Sequence, residues 1–206
     1  MPKGRVEAFA DGIFAFAITL LVVDINVPPS QFGNLWKGIA DQWPAYLGFV
    51  TSFVTVGAIW MAHHAVFRRL SSANDVIMRL NLALLMSVAV LPFPTRLVAE
   101  AITSSRAERT AVIFYALSLI LITALFAVLW QAILRSGLLK PTVTDGEIRA
   151  ITRMVTPNVG FYVVVTLLAL VAPHAAVYGL LLAAIVTVFR VRHIRGTKTK
   201  AKPSEG

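Results

Sequence analysis

The chain contains no cysteine among its 206 residues, and only 14% of its residues are charged. Without cysteine it cannot form disulfides, thiolate metal sites or cysteine nucleophiles. Soluble globular chains average about 25% charged residues, whereas 57% of this chain is hydrophobic and its mean hydropathy is +0.75. The composition therefore predicts an integral membrane protein.

The patterns of an enzyme or a metalloprotein are also absent from the sequence. It has no Gly-rich phosphate loop, no Ser-His-Asp order and no HExxH motif. His63 and His64 are adjacent, so they point in different directions on a helix, and His174 and His193 lie far along the chain. Because zinc needs three or four convergent ligands, we expect no metal, no cofactor and no enzymatic activity.

The apolar residues form six segments long enough to be membrane helices. They cover about 5–27, 44–67, 75–101, 108–134, 150–172 and 175–192. Pro28 and Pro29 end the first segment, since proline cannot continue a helix. We therefore expect an all-α fold in which residues 1–194 form a six-helix transmembrane domain and residues 195–206 form a basic, disordered tail.

The net charge of +9 is distributed in a way that argues against nucleic-acid binding. Basic residues gather in short segments between the apolar runs, at 3–5, 68–79, 135–153 and 190–202. All four fall on one side of a membrane if six helices alternate, and the positive-inside rule makes that side cytoplasmic. We expect a multi-pass protein of the cell (plasma) membrane, surrounded by lipid, with both termini in the cytoplasm.

The first segment carries two aspartates, Asp11 near its start and Asp24 near its end. The uncharged run between them is shorter than the ~20 apolar residues of a typical spanning helix, so the helix must bring its aspartates into or near the membrane. An ionised Asp at the centre of a membrane helix costs roughly 2.5–3.5 kcal/mol on insertion scales, so such a residue usually faces protein or water.

A helical projection of this segment places its larger apolar residues on one face. That face consists of Phe9, Gly12, Phe16, Leu20, Val23 and Val27, with Thr19 on its flank. Asp11 points to nearly the opposite side. The residues leave three interpretations open for this face: packing within the subunit, a seam between subunits, or the lining of a pore.

Other polar residues lie within the helices, toward the predicted cytoplasmic half. They are Asp11, Trp60, His63, His64 and Asn81. Unpaired polar groups in hydrocarbon are costly, which favours hydrogen bonds among them. Two interpretations stay open: a structural network that joins the first three helices, or a proton relay through Asp11 and a histidine.

Residues 5–24, RVEAFADGIFAFAITLLVVD, resemble the first helix of the transmembrane protein 175 family of potassium channels. The family signature is Arg, three residues, then Phe-Ser-Asp; Arg5, Phe9 and Asp11 match it, while Ala10 replaces the usual Ser. Trp60 with His63 or His64, and Asn81 with the LPFPT sequence of residues 91–95, are further matches. The resemblance covers residues 4–192 and identifies the chain as a bacterial member with a single six-helix repeat.

The resemblance implies a channel for K⁺, and for other monovalent cations, without a pore-loop filter. Its pore would be lined by the first helix of each subunit in a homotetramer, with a hydrophobic constriction at Phe16, Leu20 and Val23. The family more often has Ile where Phe16 stands. Thr19 occupies a hydroxyl position expected to aid ion dehydration or selectivity.

The resemblance also gives Arg5, Phe9, Asp11, Trp60, His63, His64 and Asn81 the role of a structural network. For Asp24 two roles are open, at the outer mouth of a pore or in a hydrogen bond near the helix end. The alternative function is that of a proton-coupled transporter, with Asp11 and His63 or His64 as the titrating pair.

Overall fold

The computed structural model describes residues 3–102 and 105–155, together with residues 160, 163, 164, 166–168, 172, 178, 179 and 182. Within the two long ranges, seven α-helices follow one another: α1 (Lys3–Val23), α2 (Leu35–Asp41), α3 (Trp43–Phe67), α4 (Asp75–Val90), α5 (Pro92–Ala101), α6 (Ser105–Ser136) and α7 (Asp145–Val155). A 3₁₀ helix, Pro29–Asn34, precedes α2.

Four helical spans are long and apolar enough to cross a membrane. They are Lys3–Val23, Trp43–Phe67, Asp75–Ala101 and Ala107–Ser136. These spans match the first four predicted segments and confirm an all-helical, multi-pass architecture. The predicted fifth and sixth segments, 150–172 and 175–192, lie largely outside the described residues.

The end of α1 differs from the prediction. The helix ends at Val23 rather than at residue 27, so Asp24 stands just beyond its last residue. Its buried side consists of Val6, Ala10, Phe14, Ala17 and Leu21, which recur every three or four residues. Through this side α1 packs against α3 and α4, while α6 packs against α4 and α5 on the far side of the bundle.

The third predicted segment is not one continuous helix. It is interrupted at Leu91, between α4 and α5, because Pro92 lacks the N–H that an α-helix needs at that position. The Leu91 N–H bonds to the Val88 carbonyl three residues back, at 3.1 Å. The Leu91 carbonyl accepts both the N–H and the hydroxyl of Thr95, at 3.2 and 2.9 Å.

Buried hydroxyl groups tie this break to two other helices. Ser52 Oγ of α3 lies 2.7 Å from Thr95 Oγ1 of α5 and 2.9 Å from the Tyr115 hydroxyl of α6. Each hydroxyl carries one proton, so all the bonds coexist only if Tyr115 donates to Ser52, Ser52 to Thr95, and Thr95 to the Leu91 carbonyl. These side chains are buried, so the chain of bonds satisfies groups that would otherwise be costly in an apolar interior.

Helix α7 begins five residues before the predicted fifth segment, and it is docked by specific contacts. Thr144 and Glu147 form a capping box, in which the Thr144 hydroxyl accepts the Glu147 N–H at 3.3 Å and Glu147 Oε2 accepts the Thr144 N–H at 3.2 Å. Glu147 Oε1 also pairs with Arg69 Nη2 at 3.0 Å, just after α3. On the inner side of α7, Trp130 Nε1 donates to Thr152 Oγ1 at 2.9 Å, and Ile151 and Val155 are buried.

We therefore expect the substitution Glu147→Ala to undock the start of α7. It removes half of the capping box and leaves the partly buried guanidinium of Arg69 without this carboxylate, at a cost of roughly 1–3 kcal/mol. The thermal midpoint of the purified protein in detergent should fall. Asp145→Ala, which removes an exposed carboxylate from the same helical turn, is the matched control and should leave the midpoint nearly unchanged. Equal shifts for the two variants would contradict the docking role of Glu147.

Candidate functional site

The outward side of α1 carries a line of exposed apolar residues opposite its packed side. Phe9 is 53% exposed, Phe16 56% and Val23 70%, and Gly12 is also exposed. Leu20 and Val27 are partly buried. Among the described residues, most of the face predicted by the helical projection therefore points away from the helices on which α1 packs.

Thr19 lies on the same outward side and is exposed. Its hydroxyl donates to the carbonyl oxygen of Phe16, one turn earlier, at 2.8 Å. This bond uses the only proton of the hydroxyl and leaves the lone pairs of Oγ1 free to face outward as an acceptor.

Asp11 contacts its own subunit through one hydrogen bond. Trp60 Nε1 of α3 donates to Asp11 Oδ1 at 2.8 Å, and the indole of Trp60 stacks on the imidazole of His64 with ring centroids 5.8 Å apart. Asp11 itself remains exposed. The carboxylate is thus held against α3 at one edge of the outward face and is not enclosed by the bundle.

His63 belongs to a second, buried contact. Its Nε2 lies 2.8 Å from Asn81 Oδ1 of α4, and its ring stacks on Phe67 at 4.2 Å and meets Phe14 of α1 at 5.4 Å. His63 and Asn81 are 1% and 3% exposed. Since Asn81 Oδ1 can only accept, this bond assigns the proton to Nε2 of the imidazole. The contact joins α1, α3 and α4 through a single side chain.

The remaining two members of the predicted network lie elsewhere. Arg5 and Phe9 line a groove of about 370 Å³ between α1 and α4, whose other walls include Val6, Arg79 and Leu82. The members of the predicted network therefore meet in three places: Asp11 with Trp60 and His64, His63 with Asn81, and the groove with Arg5 and Phe9, which Asn81 also lines.

Asp24, just beyond α1, pairs with a residue that sequence reasoning did not single out. Arg96 Nη1 of α5 lies 3.8 Å from Asp24 Oδ1, and Arg96 Nε donates to Glu100 Oε1 at 2.7 Å. In the sequence, Arg96 and Glu100 belong to a stretch of mixed charge that continues with Arg106, Glu108 and Arg109. Their spacing of four residues on a helix was the available signal for that pair, whereas nothing in the sequence indicated contact with Asp24.

A further set that sequence reasoning missed is the buried hydroxyl chain of Ser52, Thr95 and Tyr115. The proline pair around Phe93 indicated a break in the helix, but nothing in the sequence indicated the contacts of Ser52 with Thr95 and Tyr115. Across residues 3–102 and 105–155 and the few described positions beyond them, no group of three or more His, Asp or Glu side chains is placed to hold a metal ion.

Four long apolar helices with polar contacts buried between them define a multi-pass integral membrane protein. The family model described as "Endosomal/lysosomal potassium channel TMEM175" matches residues 5–92. A relative named as a potassium channel of Streptomyces collinus is 40% identical over 183 residues, which are 87% of this chain and 89% of that protein. The chain belongs to the TMEM175 family, as the residues of its first helix predicted.

Two further similarities extend the comparison. The crystal structure of "a lysosomal potassium-selective channel TMEM175 homolog" from Chamaesiphon minutus matches with a TM-score of 0.83 at 33% identity, covering 92% of this chain and 97% of that one. A Gallus gallus relative named as an endosomal/lysosomal proton channel is 35% identical over 121 residues, which are 54% of this chain and 24% of that protein. These relatives are named as ion channels, not as enzymes.

We expect the contact between His63 and Asn81 to stabilise the fold as a pair. Asn81→Leu leaves the buried Nε2–H of His63 without its acceptor and should cost about 1–3 kcal/mol. The double variant combines Asn81→Leu with His63→Phe. The second substitution removes the unpaired N–H group and keeps a ring that can stack on Phe67. The double variant's loss of stability should be smaller than the sum of the two single losses, as measured by thermal midpoints in detergent. Additive losses would show that the hydrogen bond does not couple the two residues.

Proposed function

We propose that this protein is a potassium-permeable channel, a homotetramer in which α1 of each subunit lines a central pore. The observation that carries the proposal is the outward face of α1, where bulky apolar residues are exposed along the full length of a helix that is otherwise packed on α3 and α4. The names of the bacterial relatives support K⁺ as the permeant ion.

Assembly follows from the geometry of a single helix. One α1 cannot enclose a pore, so several chains must each contribute one around an axis, and a heterologous ring of this kind closes with cyclic symmetry. Four copies, each with six transmembrane helices, is the arrangement that the family resemblance favours. The exposed line of Phe9, Gly12, Phe16 and Val23 then meets its symmetry mates at the axis.

The proposed constriction lies at Phe16, Leu20 and Val23, with no pore-loop filter. Side chains four and three residues apart form successive layers along one helix face. Apolar constrictions can gate by dewetting, so ion passage would depend on pore radius and hydration. The outward lone pairs of Thr19 would supply an oxygen ligand between these layers.

The polar contacts of α1 serve in this proposal to hold the pore helix rather than to bind ions. Trp60 keeps Asp11 against α3, and His63 with Phe14 fixes α1 against α3 and α4. We further propose that both termini are cytoplasmic, that the channel resides in the cell membrane, and that residues 1–194 form the conducting domain, followed by the tail of residues 195–206.

The pore assignment predicts a specific effect of Leu20→Ala. Truncation should widen the constriction, so the preference for K⁺ over Na⁺ should fall by roughly tenfold, equivalent to about 1.4 kcal/mol in relative ion free energy. The measurement is cation flux from liposomes that contain the purified protein, with K⁺ or Na⁺ as the only permeant ion. Phe16→Ile introduces the residue type that is more frequent in the family. This variant should still conduct K⁺, but the rate of K⁺ flux should differ from that of the wild type.

The matched control is Leu121→Ala, the same truncation on the exposed side of α6. It should leave both ion fluxes unchanged. The assignment of α1 as the pore helix would be overturned if Leu20→Ala left selectivity and flux unaltered. The preparation used must have a mass in detergent that corresponds to four chains.

A second candidate function is proton movement through Asp11 and a histidine of α3. It is favoured by the exposure of Asp11 and by its position next to Trp60, which stacks on His64. The vertebrate relatives named as proton channels also support it.

A relay of this kind predicts that Asp11→Asn abolishes proton flux. Asparagine keeps an oxygen that can accept from Trp60 but it cannot ionise, so proton flux should fall at least about tenfold while K⁺ flux persists. Proton flux is measured as the acidification of dye-loaded liposomes in a solution without permeant cations. Asp41→Asn, which changes an exposed aspartate at the end of α2, is the control. Undiminished proton flux in Asp11→Asn would exclude Asp11 from the relay.

A further inference from the structure

A groove of about 380 Å³ opens beside the C-terminal end of α1. Its polar lining consists of Asp24, Asn26, Asp41, Gln42, Arg96 and Glu100. These residues come from the loop after α1, from α2 and the residue that follows it, and from α5. In the proposed channel this groove adjoins the outer end of the pore helix.

The carboxylates of the groove are not equally balanced by cations. Lys37 Nζ lies 3.2 Å from Asp41 Oδ2, so Asp41 has a cation of its own. Asp24 and Glu100 instead share Arg96, which bonds to Glu100 at 2.7 Å and approaches Asp24 to 3.8 Å. Among the described ion pairs, two carboxylates therefore depend on one guanidinium, and the three groups together carry one net negative charge.

The position of Arg96 is set by the helix that bears it. Its neighbour Thr95 is buried and bonds to Ser52 of α3 and to the Leu91 carbonyl. The backbone of α5 is thus anchored at the residue before Arg96. The Arg96 side chain is 58% exposed, so its charge affects the potential in the solvent of the groove as well as its two carboxylate partners.

We propose that Arg96 controls cation entry at the outer end of α1 by offsetting the negative charge of Asp24 and Glu100. This inference rests on the proposed channel function and adds to it the residue that sets the potential of the outer mouth. A unit charge at a separation of order 10 Å in water changes the local concentration of a monovalent ion roughly twofold. In a ring of four subunits the effect is repeated around the axis.

The first test measures the potential without relying on conduction. Because the chain has no native cysteine, Asn26→Cys places a single thiol in the groove. The thiol is modified by a cationic and by an anionic methanethiosulfonate of similar size, at about 10 mM and about 1 M salt, where the Debye length is roughly 30 and 3 Å. Adding Arg96→Gln should raise the ratio of cationic to anionic rates roughly fourfold at low salt, since each rate changes about twofold in opposite directions.

The second test measures inward K⁺ current in the same ionic conditions, without the cysteine. Arg96→Gln should increase the current roughly twofold at low salt and leave it unchanged at high salt, whereas Glu100→Gln should decrease it. Arg96→Lys keeps the charge and should behave as the wild type in both tests. Arg68→Gln, which removes an exposed cation after α3 at the other end of the bundle, is the matched control and should not alter inward current.

The possible outcomes separate this inference from the proposed function. A modification ratio unchanged by Arg96→Gln would overturn the role of Arg96, and so would equal effects of Arg96→Gln and Arg96→Lys at both salt concentrations. If Arg96→Gln raised the modification ratio but left the K⁺ current unchanged, the proposal that Arg96 controls ion entry would be overturned. A wild-type protein that carries no K⁺ would contradict the proposed function, while the modification ratio would still decide whether Arg96 sets the potential of the groove.

Discussion

The need to satisfy polar groups inside an apolar helix bundle governs how α1 is held. Asp11 lies within a helix whose other residues around it are apolar, and a carboxylate in hydrocarbon is unfavourable without a partner or water. The indole N–H of Trp60 supplies a partner on one side only. The other side of Asp11 stays exposed, so the bond orients α1 against α3 without burying its outward face. A helix packed on one side and open on the other is the condition that a pore-lining role requires.

The packed side of α1 shows how few bulky contacts are needed for this orientation. Four of its five buried residues are Val, Ala or Leu, and the fifth, Phe14, meets the ring of His63. Ala10 and Ala17 allow close approach of the neighbouring helices, while Phe14 and His63 fill the space between them. His63 is in turn fixed by Asn81 and Phe67. The other two Phe side chains of α1, Phe9 and Phe16, are exposed, as are Val22 and Val23 at the end of the helix.

Much of this arrangement could be predicted from the sequence, because hydropathy and helical period act locally. The first four membrane segments and the family follow from residues close together in the chain, whereas the sequence left open which way the apolar face of α1 points. The pairings could not be predicted in detail, because they depend on how helices are rotated and offset relative to one another. The five polar residues Asp11, Trp60, His63, His64 and Asn81 were expected to bond together, and the structure places four of them in two separate hydrogen bonds while His64 stacks on Trp60. The contact of Arg96 with Asp24 joins residues 72 positions apart, with no periodic signal between them.

The break at Leu91 gives α5 a role that a continuous helix could not fill. A straight continuation of α4 would keep its i to i−4 bonds and would need no outside donors, whereas the prolines remove N–H groups and leave carbonyl oxygens to be satisfied. The hydroxyl chain from Tyr115 through Ser52 to Thr95 ends on the Leu91 carbonyl at this break and anchors α5 to α3 and α6. Because Arg96 follows Thr95 directly, this anchor also fixes the origin of the side chain that reaches Asp24. α1 is therefore held near its middle by Trp60 and His63 and approached just beyond its last residue by Arg96, and among the described residues neither set of contacts covers its exposed apolar residues.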